Sequence, residues 1–355
     1  MELEKLGWND FFAGHFRDLP GEGYAAGRVY LEHRGGFWLY TEKGETEAVA
    51  SGKLLHRAEN RGDRPAVGDW TAIRFRENEE KAVIHHILPR KSKFSRKAAG
   101  HSAAEQIIAT NIDTAMLVVG LDHDYNLRRL ERYLTMVAAS GAEPVVVLNK
   151  IDLAADVEAK IEEVRQLAAG VPVVALSAAR AEGLEQLASF IKTGETIALL
   201  GSSGAGKSTI TNRLIGSERQ SIGEVREDDS RGRHTTTRRE LIVLPGGGLI
   251  VDTPGMRELQ LWVGDDALEQ SFADVEALAA RCRFSDCDHR IAPGCAVRAA
   301  LDDGSLDRQR WANYNKLQSE LAHLRDRTDA RAQREKKQHV KKIMREHQKN
   351  KKRRF

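Results

Sequence analysis

Two short segments stand in an order that constrains this fold more than composition does. The first is VVVLNKIDLA, residues 145–154; the second is GSSGAGKST, residues 201–209. The second reads Gly201-x4-Gly206-Lys207-Ser208, a complete Walker A pattern, with TIALL before it as a strand and STITNRLIG after it as a helix. Gly201, Ser202, Ser203, Gly204, Ala205, Gly206, Lys207, Ser208 and Thr209 then form a backbone cradle for phosphates at a helix N-terminus. Lys207 reaches the β- and γ-phosphates as the catalytic cation, and the Ser208 hydroxyl ligates Mg²⁺.

The first segment contains Asn149-Lys150-x-Asp152. A carboxylate at Asp152 can accept the N1–H and N2 amino protons of guanine, which adenine lacks in that geometry. Lys150 can lie over the ring while Asn149 braces the loop. The tetrad closes a strand, where ligands meet an open α/β sheet. LSA at 176–178 closes the next strand, giving Ser177 and Ala178 as a second base-contacting loop. In an ordinary GTPase the phosphate loop comes first; here it follows the tetrad by some fifty residues. Sheet order need not follow chain order, so a domain whose old ends are joined and whose chain opens elsewhere assembles the same pocket. The expectation is a circularly permuted P-loop GTPase domain.

Downstream motifs agree. Asp252 ends GLIVD and can hold Mg²⁺ with GTP, while the Gly255 N–H in DTPG meets the γ-phosphate. GRHTTT, residues 232–237, falls where a switch belongs, and either Thr235 or Thr236 completes the Mg²⁺ shell. Met256 occupies the place of a Ras-type water-orienting Gln, so intrinsic hydrolysis should be slow. His234 is the candidate substitute, though an ordinary switch-loop His fits equally well.

Around these motifs the pattern divides the chain. Residues 27–87 read as several short strands, a small barrel of OB or SH3-like kind. RKSKFSRK, residues 90–97, reads as a basic loop whose Phe94 could stack on an RNA base. Alternating Val/Leu-rich runs and helical segments follow, including EGLEQLASFIKTG as a helix, and imply a doubly wound sheet. Cys282-x4-Cys287-x-His289-x5-Cys295 uses every cysteine in the chain and makes a closed set for one structural Zn²⁺. The net charge of +3 hides a tail, residues 331–355, carrying +10, while the other 330 residues sum to −7. Such a tail suits a polyanion. Leu317, Leu321 and Leu324 form a helical packing stripe leading to it. No apolar run reaches the ~18 residues of a membrane span, and the acidic start MELEKLGWND lacks an apolar leader. The expected setting is the cytoplasm, with no membrane partner.

The permuted order, with GSSGAGKST, GRHTTT and DTPG, resembles the RsgA/YjeQ family of small ribosomal subunit biogenesis GTPases over nearly the whole chain. The resemblance implies a cytoplasmic GTPase that binds GTP and GDP, acts late in 30S maturation through rRNA, and is stimulated by the subunit. The expected organisation is multidomain α/β. An OB-like barrel with an N-terminal extension spans 1–97, the permuted GTPase domain 98–261, a helical zinc-binding module 262–330 and the basic tail 331–355. A monomer is expected. An ATP-using P-loop enzyme and a non-catalytic rRNA-binding scaffold are the alternatives.

Overall fold

Strand-forming runs broken at Gly35-Gly36 and Lys43-Gly44 give the first architecture, an antiparallel meander. β1 (Ala25–His33), β2 (Gly36–Thr41) and β3 (Gly44–Ala50) pair in sequence. A preceding helix, α1 (Asp10–Arg17), starts at Asn9, whose side chain accepts from Phe11 N–H at 3.1 Å. After β3 a second short helix, α2 (Gly52–Arg57), is capped by Ser51 and leads to β4 (Trp70–Phe75) and β5 (Ala82–Ile87). β3 pairs with β5 in parallel, and β4 pairs with both β5 and β1. The circuit β1-β2-β3-β5-β4-β1 is a closed five-stranded barrel of the OB kind. Val29, Leu39, Ala48, Ile73, Ala82 and Ile84 fill it. The computed structural model describes residues 1–58, 60–75, 81–97, 105–216, 239–252, 272–284, 287–289, 292–308, 310–312, 314–315 and 318–319.

The basic stretch 90–97 departs from the expected basic loop with a stacking Phe94. Lys93–Lys97 is β6, paired with β7 (Glu105–Thr110), and Phe94 is 2% exposed. Arg90 is spent on Asp69, at 2.7 Å to each carboxylate oxygen. Packing has taken the aromatic that could have stacked on a base.

The second architecture follows from runs that are apolar on both sides. In β8 (Thr114–Gly120), Ala115, Leu117 and Val119 enter one core while Met116 and Val118 enter the other. The chain continues through α3 (Leu127–Ser140), β9 (Glu143–Asn149), α4 (Val157–Leu167) and β10 (Val173–Leu176). Then come β11 (Thr196–Leu200), α5 (Lys207–Ile215), β12 (Glu240–Val243) and β13 (Leu249–Asp252). The strand order is β10-β9-β8-β11-β13-β12, parallel except for β12. The expected helix after β10 is instead a 3-10 segment, Leu184–Phe190, entered through Gly183 in the left-handed region (φ 76°).

The two architectures share one eleven-stranded sheet, because β1 pairs with β12 at Leu31 and Glu240. The Tyr40 hydroxyl donates to Leu241 O at 3.4 Å. Buried Arg28 completes the join. Its guanidinium donates to Leu6 O, to Gly68 O (3.3 Å), to Asn111 O (3.1 Å) and to Thr196 Oγ1 (2.8 Å). Burial pulls its pKa down to about 10 against the opposing pull of Asp113 and Asp69. Residues 1–97 and 105–262 accordingly form one compact unit, and 98–104 with 263–355 form another. Within the second lie two short helices, α6 (Ala273–Ala279) and α7 (Ala296–Asp302). Leu317, Leu321, Leu324 and the basic tail lie outside the described residues. No helix among the described residues is long and apolar enough to cross a membrane.

Candidate nucleotide and metal sites

Four loops leave the carboxyl ends of β8, β9, β10 and β11, the edge where open α/β sheets bind ligands. One side chain ties three of them. Asn149, the last residue of β9 and 2% exposed, donates from Nδ2 to Ala205 O at 2.8 Å and accepts at Oδ1 from Ala178 N–H at 3.0 Å. The tetrad loop, the phosphate loop and the Ser177–Ala178 loop therefore close on one another, although Asn149 and Ala205 are 56 residues apart. A second tie comes from α5, where Arg213 donates to Ala178 O (3.3 Å) and Ala179 O (3.0 Å).

The phosphate loop needs its glycines. Gly201, Gly204 and Gly206 have φ of 149°, 81° and 99°, backbone that a side chain would strain. A Cβ at Gly206 would also collide with the Asn149 amide. Ser203 and Gly204 are exposed at the loop's tip, Ala205 is buried, and Ser208 and Thr209 lie half-buried in the first turn of α5. That turn leaves its N–H groups without helical acceptors, a cradle for anions. Lys207 Nζ donates to Gly201 O (2.7 Å) and Ser202 O (2.5 Å), so its charge is already within the loop. Asp252 ends β13, the neighbour of β11, and shares this edge of the sheet.

At the base end, Lys150 is left-handed (φ 67°), which turns the chain sharply after β9. Asp152 is pinned below the usual carboxylate range by the Ser177 hydroxyl, against the opposing effect of burial. Its Oδ2 lies 3.7 Å from Arg180 Nε, while its Oδ1 is buried and has no hydrogen-bond partner among the described residues. An acceptor left so in an interior calls for a donor, and guanine's N1–H and N2 amino group are donors of the right kind.

The pattern of motifs missed two carboxylates in this cluster. Asp122 and Asp124 follow β8, which neighbours both β9 and β11. Lys150 Nζ is 2.5 Å from Asp122 Oδ2. Asp124 accepts from the Ser202 hydroxyl and from Arg129 at 2.8 and 2.9 Å, and those bonds hold its pKa low. Their signal was available: GLDHD sits at the carboxyl end of a buried strand. The switch candidates His234, Thr235 and Thr236, with Gly255 and Met256, lie outside the described residues.

In the other unit, Cys282, Cys287, His289 and Cys295 gather with all ligand atoms within 4.8 Å of one another. His289 Nδ1 is 3.5 Å from both Cys282 Sγ and Cys295 Sγ, and those sulfurs are 3.9 Å apart. Bonds of about 2.3 Å to sulfur and 2.0 Å to nitrogen in a tetrahedron put sulfurs about 3.8 Å apart and sulfur–nitrogen pairs about 3.5 Å apart. The donors thus fit an ion of zinc's size. Left-handed turns at His289 (φ 58°) and Gly294 (φ 75°) fold the ligands inward. Cys295 caps α7, its sulfur accepting from Arg298 N–H at 3.4 Å.

Known proteins resemble this chain over most of its length. The RsgA GTPase family model matches residues 87–262. An ABC transporter model matches residues 184–353, a span that shares the Walker loop but leaves out the Asn149–Asp152 loop. The small ribosomal subunit biogenesis GTPase RsgA of Opitutus terrae is 52% identical over 94% of this chain and 95% of its own. RsgA 1 of Oceanobacillus iheyensis is 45% identical over 91% of this chain and 92% of its own. Among solved structures, YjeQ from Thermotoga maritima superposes with a TM-score of 0.62 at 25% identity, covering 84% of this chain and 99% of that one. YloQ, described as a circularly permuted GTPase, gives 0.59 at 23% identity over 86% and 96% of the two chains, a likeness of fold.

Proposed function

The chain belongs to the RsgA family of small ribosomal subunit biogenesis GTPases, and we propose that it hydrolyses GTP while bound to the maturing 30S subunit. It is a P-loop GTP hydrolase, with GTP or GDP as the bound nucleotide. In our reading Asn149, Lys150 and Asp152 select guanine with the help of Ser177 and Ala178. Residues 201–209 hold the phosphates, and Lys207 balances the charge that grows on them as the bond to the γ-phosphate breaks. Ser208 and Asp252, with Thr235 or Thr236, hold Mg²⁺. Zn²⁺ on the four Cys and His donors organises α6 and α7 and takes no part in hydrolysis. We assign the work to a monomer in the cytoplasm, late in subunit maturation, with the cationic tail on rRNA phosphates.

The observation that carries the reading is the Asn149 side chain, bonded at once to the phosphate loop and to the loop of Ala178. A chance tetrad would have no reason to brace a Walker loop from fifty residues upstream. Because Met256 cannot orient water, hydrolysis should wait for the subunit, with His234 as the group we would test for facing the attacking water. The deciding experiment is GTP turnover with and without purified 30S subunits, with 50S subunits as control and ATP as competitor. Stimulation by 30S alone, with ATP failing to compete, is expected. ATP competing as well as GTP would point to an ATP-using enzyme. Turnover near zero in every mixture would leave a scaffold.

A further inference from the structure

The barrel faces the same question as the basic tail: what does it hold? OB-folds ordinarily bind nucleic acid on the face of β2 and β3. Here that hairpin carries Glu42, Glu45 and Glu47, a poor surface for phosphates. Glu47 is paired with Lys81 at 3.0 Å, and Glu45 accepts from the Tyr30 hydroxyl at 2.9 Å.

The opposite charge gathers between α2 and β5. The register of β4 against β5 slips there: Ala72 faces His86 and Ile73 faces Ile84, so His85 is an extra residue. A bulge of this kind re-aims a side chain. Successive strand residues normally point to opposite faces, yet His85 and His86 both line one cavity of about 510 Å³. The Tyr24 ring lies 5.7 Å from His85 and 5.4 Å from His86, and its hydroxyl is 3.3 Å from His86 Nε2. Lys53 and Arg57 of α2 line the same cavity, exposed, and neither makes an ion pair or hydrogen bond with a described residue. Arg74 stacks on Tyr24 at 4.4 Å and bonds Glu22 O. The carboxylate at the rim, Asp63, is engaged with Asn60 N–H at 2.8 Å.

We infer that this cavity is a binding site for the phosphate groups of a single-stranded RNA segment. Lys53 and Arg57 neutralise neighbouring phosphates, and His85 and His86 donate from their rings. Three features carry it. The two cations sit four residues apart on one helix face, about 5–6 Å between Cβ atoms, so they can meet two phosphates of a strand rather than one. Among the described residues lining the cavity, the engaged Asp63 is the only acidic one. Both imidazoles are held below their ordinary pKa chiefly by burial, and the surrounding cations add to the effect. The volume lies within the range of ligand pockets, and its open side suits a passing strand. The inference rests on the 30S reading for its partner.

The test uses the full-length protein and a Lys53→Ala/Arg57→Ala double variant, with His85→Gln as a second. Binding to a short single-stranded RNA and to 30S subunits is measured across salt, with GTP turnover as a check that the fold is intact. Two lost phosphate contacts lower the log–log salt slope by about 1.4 and make the affinity ratio between wild type and variant shrink about sevenfold between 50 and 200 mM salt. His85→Gln, which keeps a donor but loses the ring, should weaken RNA binding less than the double variant. Equal affinities and equal slopes for wild type and double variant overturn the site. Displacement of the RNA by millimolar inorganic phosphate also overturns it, assigning the cavity to a small phosphate ester. Should wild type bind the RNA but not the 30S subunit, the functional reading fails while the site stands.

Discussion

Asp152 carries two properties that belong together. One carboxylate oxygen is buried without a partner among the described residues, and the Ser177 hydroxyl favours the ionised form of the group. A lowered pKa means that the charge persists as pH falls and is lost only below the usual carboxylate range, near 4. Guanine affinity should therefore be flat across neutral pH as far as this residue is concerned, and should fall only in acid. Asp152→Asn replaces two acceptors with one acceptor and one donor. Hydrogen bonds to a charged group contribute about 1.5–3 kcal/mol, so GTP should bind about ten- to a hundredfold more weakly. Xanthosine triphosphate, with a carbonyl in place of the N2 amino group, should gain. Competition of the two nucleotides against a fluorescent analogue measures both changes. An unaltered preference for GTP in the variant would show that Asp152 does not read the base.

At the scale of elements, the metal knuckle makes the sharpest prediction. α6 and α7 have seven residues each, too short to persist alone in water. Their order should depend on an ion joining Cys282 to Cys295, since binding and folding are coupled in such sites. Cys287→Ala, or a strong chelator, should release one zinc per chain and reduce the helical signal. GTP binding should survive, because its residues belong to the other compact unit. A protein purified free of zinc with this module still folded would end the assignment. The knuckle was legible because ligand spacing is a local code. So was the Walker loop, whose glycines, strand and helix are contiguous. The segment 90–97 was not: five cations in eight residues look solvated, and nothing local shows that Phe94 is buried or that Arg90 meets Asp69 across 21 residues. Likewise α1 and α2 lack the length for a periodic signal, and Asp122 and Asp124 join the site only through sheet order.

On the scale of the molecule, the barrel and the GTPase sheet are held by one cation as well as one strand pair. Arg28 leaves β1 and reaches the amino-terminal segment at Leu6, the turn at Gly68, the link at Asn111 and the first residue of β11. β11 runs straight into the Walker loop, so the barrel is anchored to the strand that leads into it. The join also covers β12, an edge strand that would otherwise offer unpaired backbone groups. Arg28→Met keeps an apolar stem but loses the guanidinium that lies over the Trp70 ring at 5.7 Å, and leaves Leu6 O, Asn111 O and Thr196 Oγ1 without their donor. Orphaned buried groups cost about 1–3 kcal/mol each, and partial relaxation should bring the total to about 3–5 kcal/mol, the range for breaking a buried charged network. Urea unfolding followed by tryptophan fluorescence should show that loss, while the preference for GTP over ATP stays unchanged because the base loops are untouched. Stability within about 1 kcal/mol of wild type, where surface changes usually fall, would mean that the strand pair and apolar packing hold the barrel without Arg28.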